Sequence, residues 1–202
     1  MTKEFIIQHA TNTFLGNGYK TVTMDEVASD LGVSKKTLYE IFGNKESLIR
    51  ASLEYQFQDL RDIFKETIEL ELDAIDEIQF IMHKIRSKFS TAQHKNAVYQ
   101  LQKYYAKIYK KVYVEQLVFV QNAIKSNIEK GQAKALYRKN VNAMDFADLL
   151  IRVQNYLKNN ENNLKNSERM ERMARMNFDL MMRGILTPAG LIKYEKLEIN
   201  EK

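Results

Sequence analysis

The 202-residue sequence has no cysteine, a single proline and only seven glycines. Without cysteine there can be no disulfide, thiolate metal site, iron–sulfur cluster or cysteine nucleophile. The scarcity of proline and glycine disfavours a loop-rich all-β domain, whose turns need both. Long apolar runs are missing as well: none approaches the roughly 18–20 residues of a membrane span. Met1 to Phe14 mix polar and charged positions and lack the unbroken apolar stretch of a signal peptide. These absences predict a soluble, cytoplasmic, almost wholly helical protein, long enough to bury a real core as one or two domains.

Charge is present but unevenly spread. Residues 1–50 carry six Lys/Arg and six Asp/Glu, and residues 51–79 carry two and nine. Residues 80–139 carry thirteen and two, a net of +11, and residues 140–202 carry ten and nine. Such blocks are usually solvated helix faces, although an acidic segment beside a basic one can also pack against it. The overall +5 is a weak pointer to a polyanionic partner.

Along the chain, Ile6, Ala10 and Phe14 share one helix face, and Gly16 and Gly18 are expected to stop that helix. Thr23-Met24-Asp25-Glu26 reads as a capping box that opens a helix from Met24 to about Leu31, burying Val27, Ala28 and Leu31. Gly32 breaks it, Ser34 caps a short helix over Lys35 to Phe42, and Asn44 caps another that begins at Lys45. Beyond that point long helices are predicted at about 45–68, 74–90, 95–130 with a break near Tyr104 to Tyr109, 142–160 and 166–186. A tail helix is expected after Pro188, and the polar stretch Lys158 to Asn166 reads as a loop.

Short helix, glycine turn, cap and second short helix make a helix-turn-helix pattern. Ala28 is small where the two helices cross, and Gly32 tolerates the left-handed turn. Val33 and Leu38 pin the second helix, while Ser34 caps it and leaves its first turn open toward DNA. Lys35, Lys36, Thr37, Tyr39 and Glu40 remain exposed on it. Two lysines at the helix start can reach phosphates or guanine edges, Thr37 can bond a base or a phosphate, and Tyr39 offers a hydroxyl and a ring face. Lys45 stands in the first turn of the next helix, where backbone N–H groups favour a phosphate.

Met24 to Leu48, MDEVASDLGVSKKTLYEIFGNKESL, resembles the signature of the TetR family of bacterial transcriptional regulators. Val27-Ala28, Leu31-Gly32-Val33-Ser34, Thr37-Leu38-Tyr39, Phe42, Lys45-Glu46 and Leu48 carry the likeness, with Ala10, Phe14, Gly18 and Tyr19 upstream. It covers about residues 5–50. The resemblance implies an all-α homodimer. Residues 1–46 would form a three-helix helix-turn-helix DNA-binding domain, and residues 47–202 a helical effector-binding and dimerisation domain. It further implies phosphate contacts from Thr23 and Tyr39, a phosphate clamp at Lys45, and Lys35, Lys36 and Thr37 facing the major groove of a palindromic operator. Ser34 belongs to the same DNA-binding set. Many members carry tyrosine or histidine before the phenylalanine; here that residue is Ile41, so the phosphate contact of that position does not carry over.

The function expected is a ligand-responsive regulator, a repressor released by a small-molecule inducer of unknown identity. The alternative is an architectural or cell-division DNA-binding factor of the same fold without an inducer. Methionines at 170, 173 and 176 followed by Leu180 form a stripe that suits either a core or a dimer seam. Met173, Met176 and Leu180 are expected at a dimer interface facing Phe146, Leu150, Val153 and Leu157. Tyr99, Tyr104, Tyr105, Tyr109, Tyr113 and Phe119 alternate with lysines; they read as the edge of a core or, in part, as the lining of an inducer pocket. His9, His83 and His94 have no carboxylate or second histidine at metal-binding spacing, so no cofactor, metal site or enzymatic activity is expected.

Overall fold

The computed structural model describes residues 1–89, 92–159 and 167–200. The chain is all-α. Its helices are α1 (Lys3–Asn17), α2 (Met24–Asp30), α3 (Lys35–Phe42), α4 (Lys45–Glu69), α5 (Ala74–Phe89), α6 (Ala92–Tyr104), α7 (Ala106–Ala133), α8 (Ala143–Asn159), α9 (Ser167–Ile185) and α10 (Pro188–Asn200). Among the described residues the only extended pairing is an isolated bridge between Tyr137 and Leu186. The expected helix limits hold to within a few residues. One detail differs: α1 runs through Gly16 and stops at Gly18, because only the latter adopts a positive φ, +93°. Of the polar stretch expected as a loop, Lys158 and Asn159 are the last residues of α8, and 160–166 lie outside the described residues.

The chain divides into two compact units, one of Met1–Glu66 with Ile81–Leu117, the other of Thr67–Phe80 with Val118–Lys202. In the first, Ile6, Ala10 and Phe14 of α1 meet Val27 and Ala28 of α2, Leu38 of α3, Leu48 and Ile49 of α4, and Ala97 and Leu101 of α6 in one buried cluster. Phe14 stacks on Tyr19 with ring centroids 4.9 Å apart. The Tyr19 hydroxyl accepts a hydrogen bond from Gln56 Nε2 at 2.8 Å. Burial pushes that phenol up to about 12, so it stays neutral in the core.

In the second unit Ile75, Ile128, Tyr137, Ala147, Leu150 and Met182 are buried. Two buried donors converge on the Ala74 carbonyl: Asn127 Nδ2 at 2.8 Å and the Tyr137 hydroxyl at 3.0 Å. Lys193 joins the carboxylates of Asp73 and Asp76 and so ties α10 to the start of α5. The acidic and basic blocks of the sequence do meet. Glu66 pairs with Lys84 at 3.2 Å in the first unit, and Glu77 with Lys130 at 2.6 Å in the second.

Gly131 shows why the sequence has glycine inside α7. A Cβ there would lie 2.1 Å from the Tyr137 ring, whose backbone N–H is already bonded to the Gly131 carbonyl at 3.2 Å. The ring is fully buried and cannot swing aside. Gly131→Ala is therefore expected to destabilise the protein by about 1–3 kcal/mol through overpacking. The check is the urea midpoint, which should be unmoved by the control Gly16→Ala or raised by it. A Cβ at Gly16 meets nothing within 4 Å, and the helical backbone gains ~0.5–1 kcal/mol from alanine.

Candidate nucleic-acid interface

The site is built from two short helices that could not stand alone. The N-terminus of α2 is closed by a full capping box: Thr23 Oγ1 accepts from Glu26 N–H at 3.1 Å, and Glu26 Oε2 accepts from Thr23 N–H at 2.7 Å. At its other end Gly32 takes φ +65°, which turns the chain so that Val33 N–H reaches the Ala28 carbonyl at 3.0 Å. Ala28 itself is buried, which lets α2 and α3 approach closely. Ser34 Oγ accepts from Thr37 N–H at 3.0 Å and starts α3. Gly43 ends it, and Asn44 Oδ1 accepts from Ser47 N–H at 2.9 Å to start α4.

Only Leu38 and Phe42 of α3 point inward. Lys35, Lys36, Thr37 and Tyr39 are all exposed, as are Ser34 and Thr23. The exposed donors are lightly held. Lys35 pairs with the Asp25 carboxylate, and Lys36 Nζ lies 3.8 Å from Glu40 Oε1. The Thr37 hydroxyl is 2.8 Å from that of Ser34. Exposed pairs of this kind contribute about 0–1 kcal/mol, so a phosphate or a base edge can displace them.

Lys45 stands apart. Its Nζ donates to the Lys20 carbonyl at 3.1 Å and lies 5.7 Å from the centre of the Tyr105 ring. Tyr105 lies 60 residues from Lys45 along the chain, and no local pattern marks it as a neighbour. Lys20, Gln100 and Tyr105 are the residues of this region that the sequence reading leaves out. The interleaved tyrosines and lysines were the only signal for them. His9 gains a neighbour that sequence spacing could not show: its Nε2 is 3.9 Å from Asp30. Among the described residues no group of His, Asp or Glu could hold a metal ion, and no helix is long and apolar enough to cross a membrane.

The second expected surface is divided by the structure. Phe146, Leu150 and Leu157 of α8 are buried within this chain, and Val153 and Met173 are half-buried. Met176 and Leu180 of α9 are 58% and 60% exposed. Leu149 and Tyr156, seven residues apart on one face of α8, are 55% and 69% exposed and were not singled out from sequence.

A caged α2, a turn and an α3 whose polar face is open define a helix-turn-helix domain. Residues 6–52 match the family model for bacterial regulatory proteins, tetR family. An uncharacterised HTH-type transcriptional regulator of Bacillus subtilis, YhgD, is 48% identical over 46 residues, 23% of this chain. That match spans about a quarter of the relative's length, 24%. Over the whole chain the likeness is one of fold. A transcriptional regulator from Cytophaga hutchinsonii superposes with a TM-score of 0.80 at 19% identity, covering 91% of this chain and 98% of that one. A TetR transcription regulator from Haloarcula marismortui gives 0.76 at 18% identity, covering 91% and 97%. The chain is a TetR-family protein, by the sequence of its helix-turn-helix and by its fold.

The turn supplies a direct test. Nothing lies within 4 Å of a Cβ built on Gly32, so Gly32→Ala costs only the strained φ. The expected loss is about 1 kcal/mol. Chemical denaturation followed by circular dichroism should show it. A loss within error would mean that the turn relaxes.

Proposed function

We propose that the chain is a ligand-responsive transcriptional repressor that binds a palindromic operator as a homodimer and is released by a small-molecule inducer. The observation that carries the reading is α3. Its two apolar residues face inward, and every exposed side chain of its first turns is a hydrogen-bond donor or acceptor suited to DNA. In this reading Lys35, Lys36 and Thr37 enter the major groove, and Ser34 frames their turn. Thr23 and Tyr39 bond phosphates, and Lys45 leaves the Lys20 carbonyl for a phosphate at the start of α4. Residues 1–46 act as the DNA-binding domain and residues 47–202 hold the effector and the dimer contacts. The protein then works by binding, with no reaction of its own.

Two copies are needed because a palindrome is read by two recognition helices in successive grooves. The exposed apolar side chains of α8 and α9 support the assignment of that contact. Leu149, Tyr156, Met176 and Leu180 remain uncovered after Phe146, Leu150 and Leu157 have been used within the chain. An inducer that binds one spacing of the two helices better than another shifts the population off the operator.

Selection of bound sequences from a random duplex library should return a two-fold symmetric site with a discrete footprint. Spreading along DNA without such a site would support an architectural factor instead. On the selected site, Lys36→Ala or Thr37→Ala should change base preference, costing about 1–3 kcal/mol at the affected position. Lys45→Ala should weaken all sequences alike and lower the slope of log affinity against log salt by about 1.

The dimer has its own test. Met176→Glu combined with Leu180→Glu should convert the protein to a monomer in sedimentation equilibrium while circular dichroism stays helical, because both side chains lie on the surface. An unchanged mass would remove α9 from the interface.

A further inference from the structure

The positive charge of this protein does not lie in the helix-turn-helix. Residues 1–66 carry eight Lys/Arg and ten Asp/Glu, whereas residues 81–117, in the same compact unit, carry eight and one. Part of that excess is gathered beside Lys45. Gln100 of α6 accepts a hydrogen bond from Lys20 N–H through Oε1 at 3.0 Å. The same amide fills the space above Gly18, where a Cβ would lie 2.5 Å from Gln100 Nε2. The loop between α1 and α2 is thus seated on α6.

This seating brings cations from separate segments together. Lys20 Nζ lies 4.6 Å from the centre of the Tyr104 ring, and Lys103 Nζ lies 5.4 Å from the same centre. Lys103 Nζ also donates to the Tyr99 hydroxyl at 3.2 Å. The two ammonium groups are therefore no more than about 10 Å apart. The Lys20 carbonyl holds Lys45 Nζ, which makes the patch continuous with the start of α4. Tyr99 and Tyr104 are 47% and 42% exposed.

Among the described residues none of Lys20, Lys45 and Lys103 forms an ion pair. A tyrosine face offsets an exposed ammonium only weakly, so like charges are held together here without a counter-ion. An approaching polyanion relieves that repulsion. The position favours duplex DNA among polyanions. Lys20 stands three residues before the α2 cap Thr23, and Lys45 three residues after the end of α3. We propose that Lys20 and Lys103, carried on the Tyr99–Tyr104 platform, bind backbone phosphates of the duplex flanking the bases read by α3.

The proposal rests on the DNA-binding reading above, and the test separates the two. The full chain and its Lys20→Ala/Lys103→Ala variant are titrated with a duplex that extends a helical turn beyond the footprint, and with one cut at its edge. On the long duplex the double variant should lose affinity for random and selected sequence by the same factor. The slope of log affinity against log salt should fall by about 2, one unit per phosphate contact. On the cut duplex variant and parent should bind alike. Thermal melting should not move, since both lysines are exposed.

A parental salt slope in the double variant, with base preference still altered by Lys36→Ala, would overturn the flanking contact and leave the DNA reading standing. Equal losses on the long and the cut duplex would also overturn it, by putting both lysines inside the footprint. No binding of the parent to any duplex would overturn both readings. If the double variant were released from anionic vesicles while its DNA binding held, the patch would belong to a different polyanion.

Discussion

A helix that is to read DNA cannot bury its polar face, and every other feature of the N-terminal region follows from that constraint. α3 has eight residues, too few to be stable in water unaided. Leu38 and Phe42 are its buried side chains, and each contributes about 1.5–3 kcal/mol by leaving water. The remainder must come from its ends. The Ser34 cap, the Gly32 turn locked by Val33 N–H on the Ala28 carbonyl, and the Asn44 cap of α4 supply it. Local hydrogen bonds at fixed spacing therefore carry much of the stability, and that is why this segment has so recognisable a sequence.

Elsewhere the fold is held differently. Unit two is fixed by buried groups far apart in sequence, such as Asn127 and Tyr137 on the Ala74 carbonyl, and by Lys193 between Asp73 and Asp76. The charge blocks also acquire a structural meaning there. The acidic residues 51–79 and the basic residues 80–139 supply opposite ends of the Glu66–Lys84 and Glu77–Lys130 pairs. Such partly exposed pairs add little stability individually. Their effect is to remove two lysines from the pool of unpaired charge, so the raw excess in residues 80–139 overstates what a partner could meet.

Legibility follows the same division. Helix limits could be read because caps and glycines act within four residues: Thr23 with Glu26, Ser34 with Thr37, Asn44 with Ser47. The exposed set on α3 could be read because an eight-residue helix has one inward face. What could not be read is pairing over distance. Gln100 and Lys20 are 80 residues apart, and neither type of residue announces such a partner. The apolar rows of α8 and α9 failed to separate for a related reason. Spacing of three to four marks a face that will be covered, but not whether the cover comes from the same chain. Phe146, Leu150 and Leu157 are covered from within, whereas Met176 and Leu180 are not.

The core of the first unit adds a last step. Ala97 and Leu101 of α6, with Ile108 and Val112 of α7, belong to the same buried cluster as Phe14, Val27 and Leu38. The helices that orient α3 are therefore packed against residues from beyond position 80. The Gln100 amide seated over Gly18 repeats that contact at the surface, and the Lys20 carbonyl passes it to Lys45. Close-packed side chains do not deform smoothly, so a shift of α6 must be met by a repacking of α1 and of the loop that leads to α2. A division at residue 46 between reading and control is thus a division of labour along the sequence. Physically the reading helix and α6 share one core, and a change in one is felt by the other.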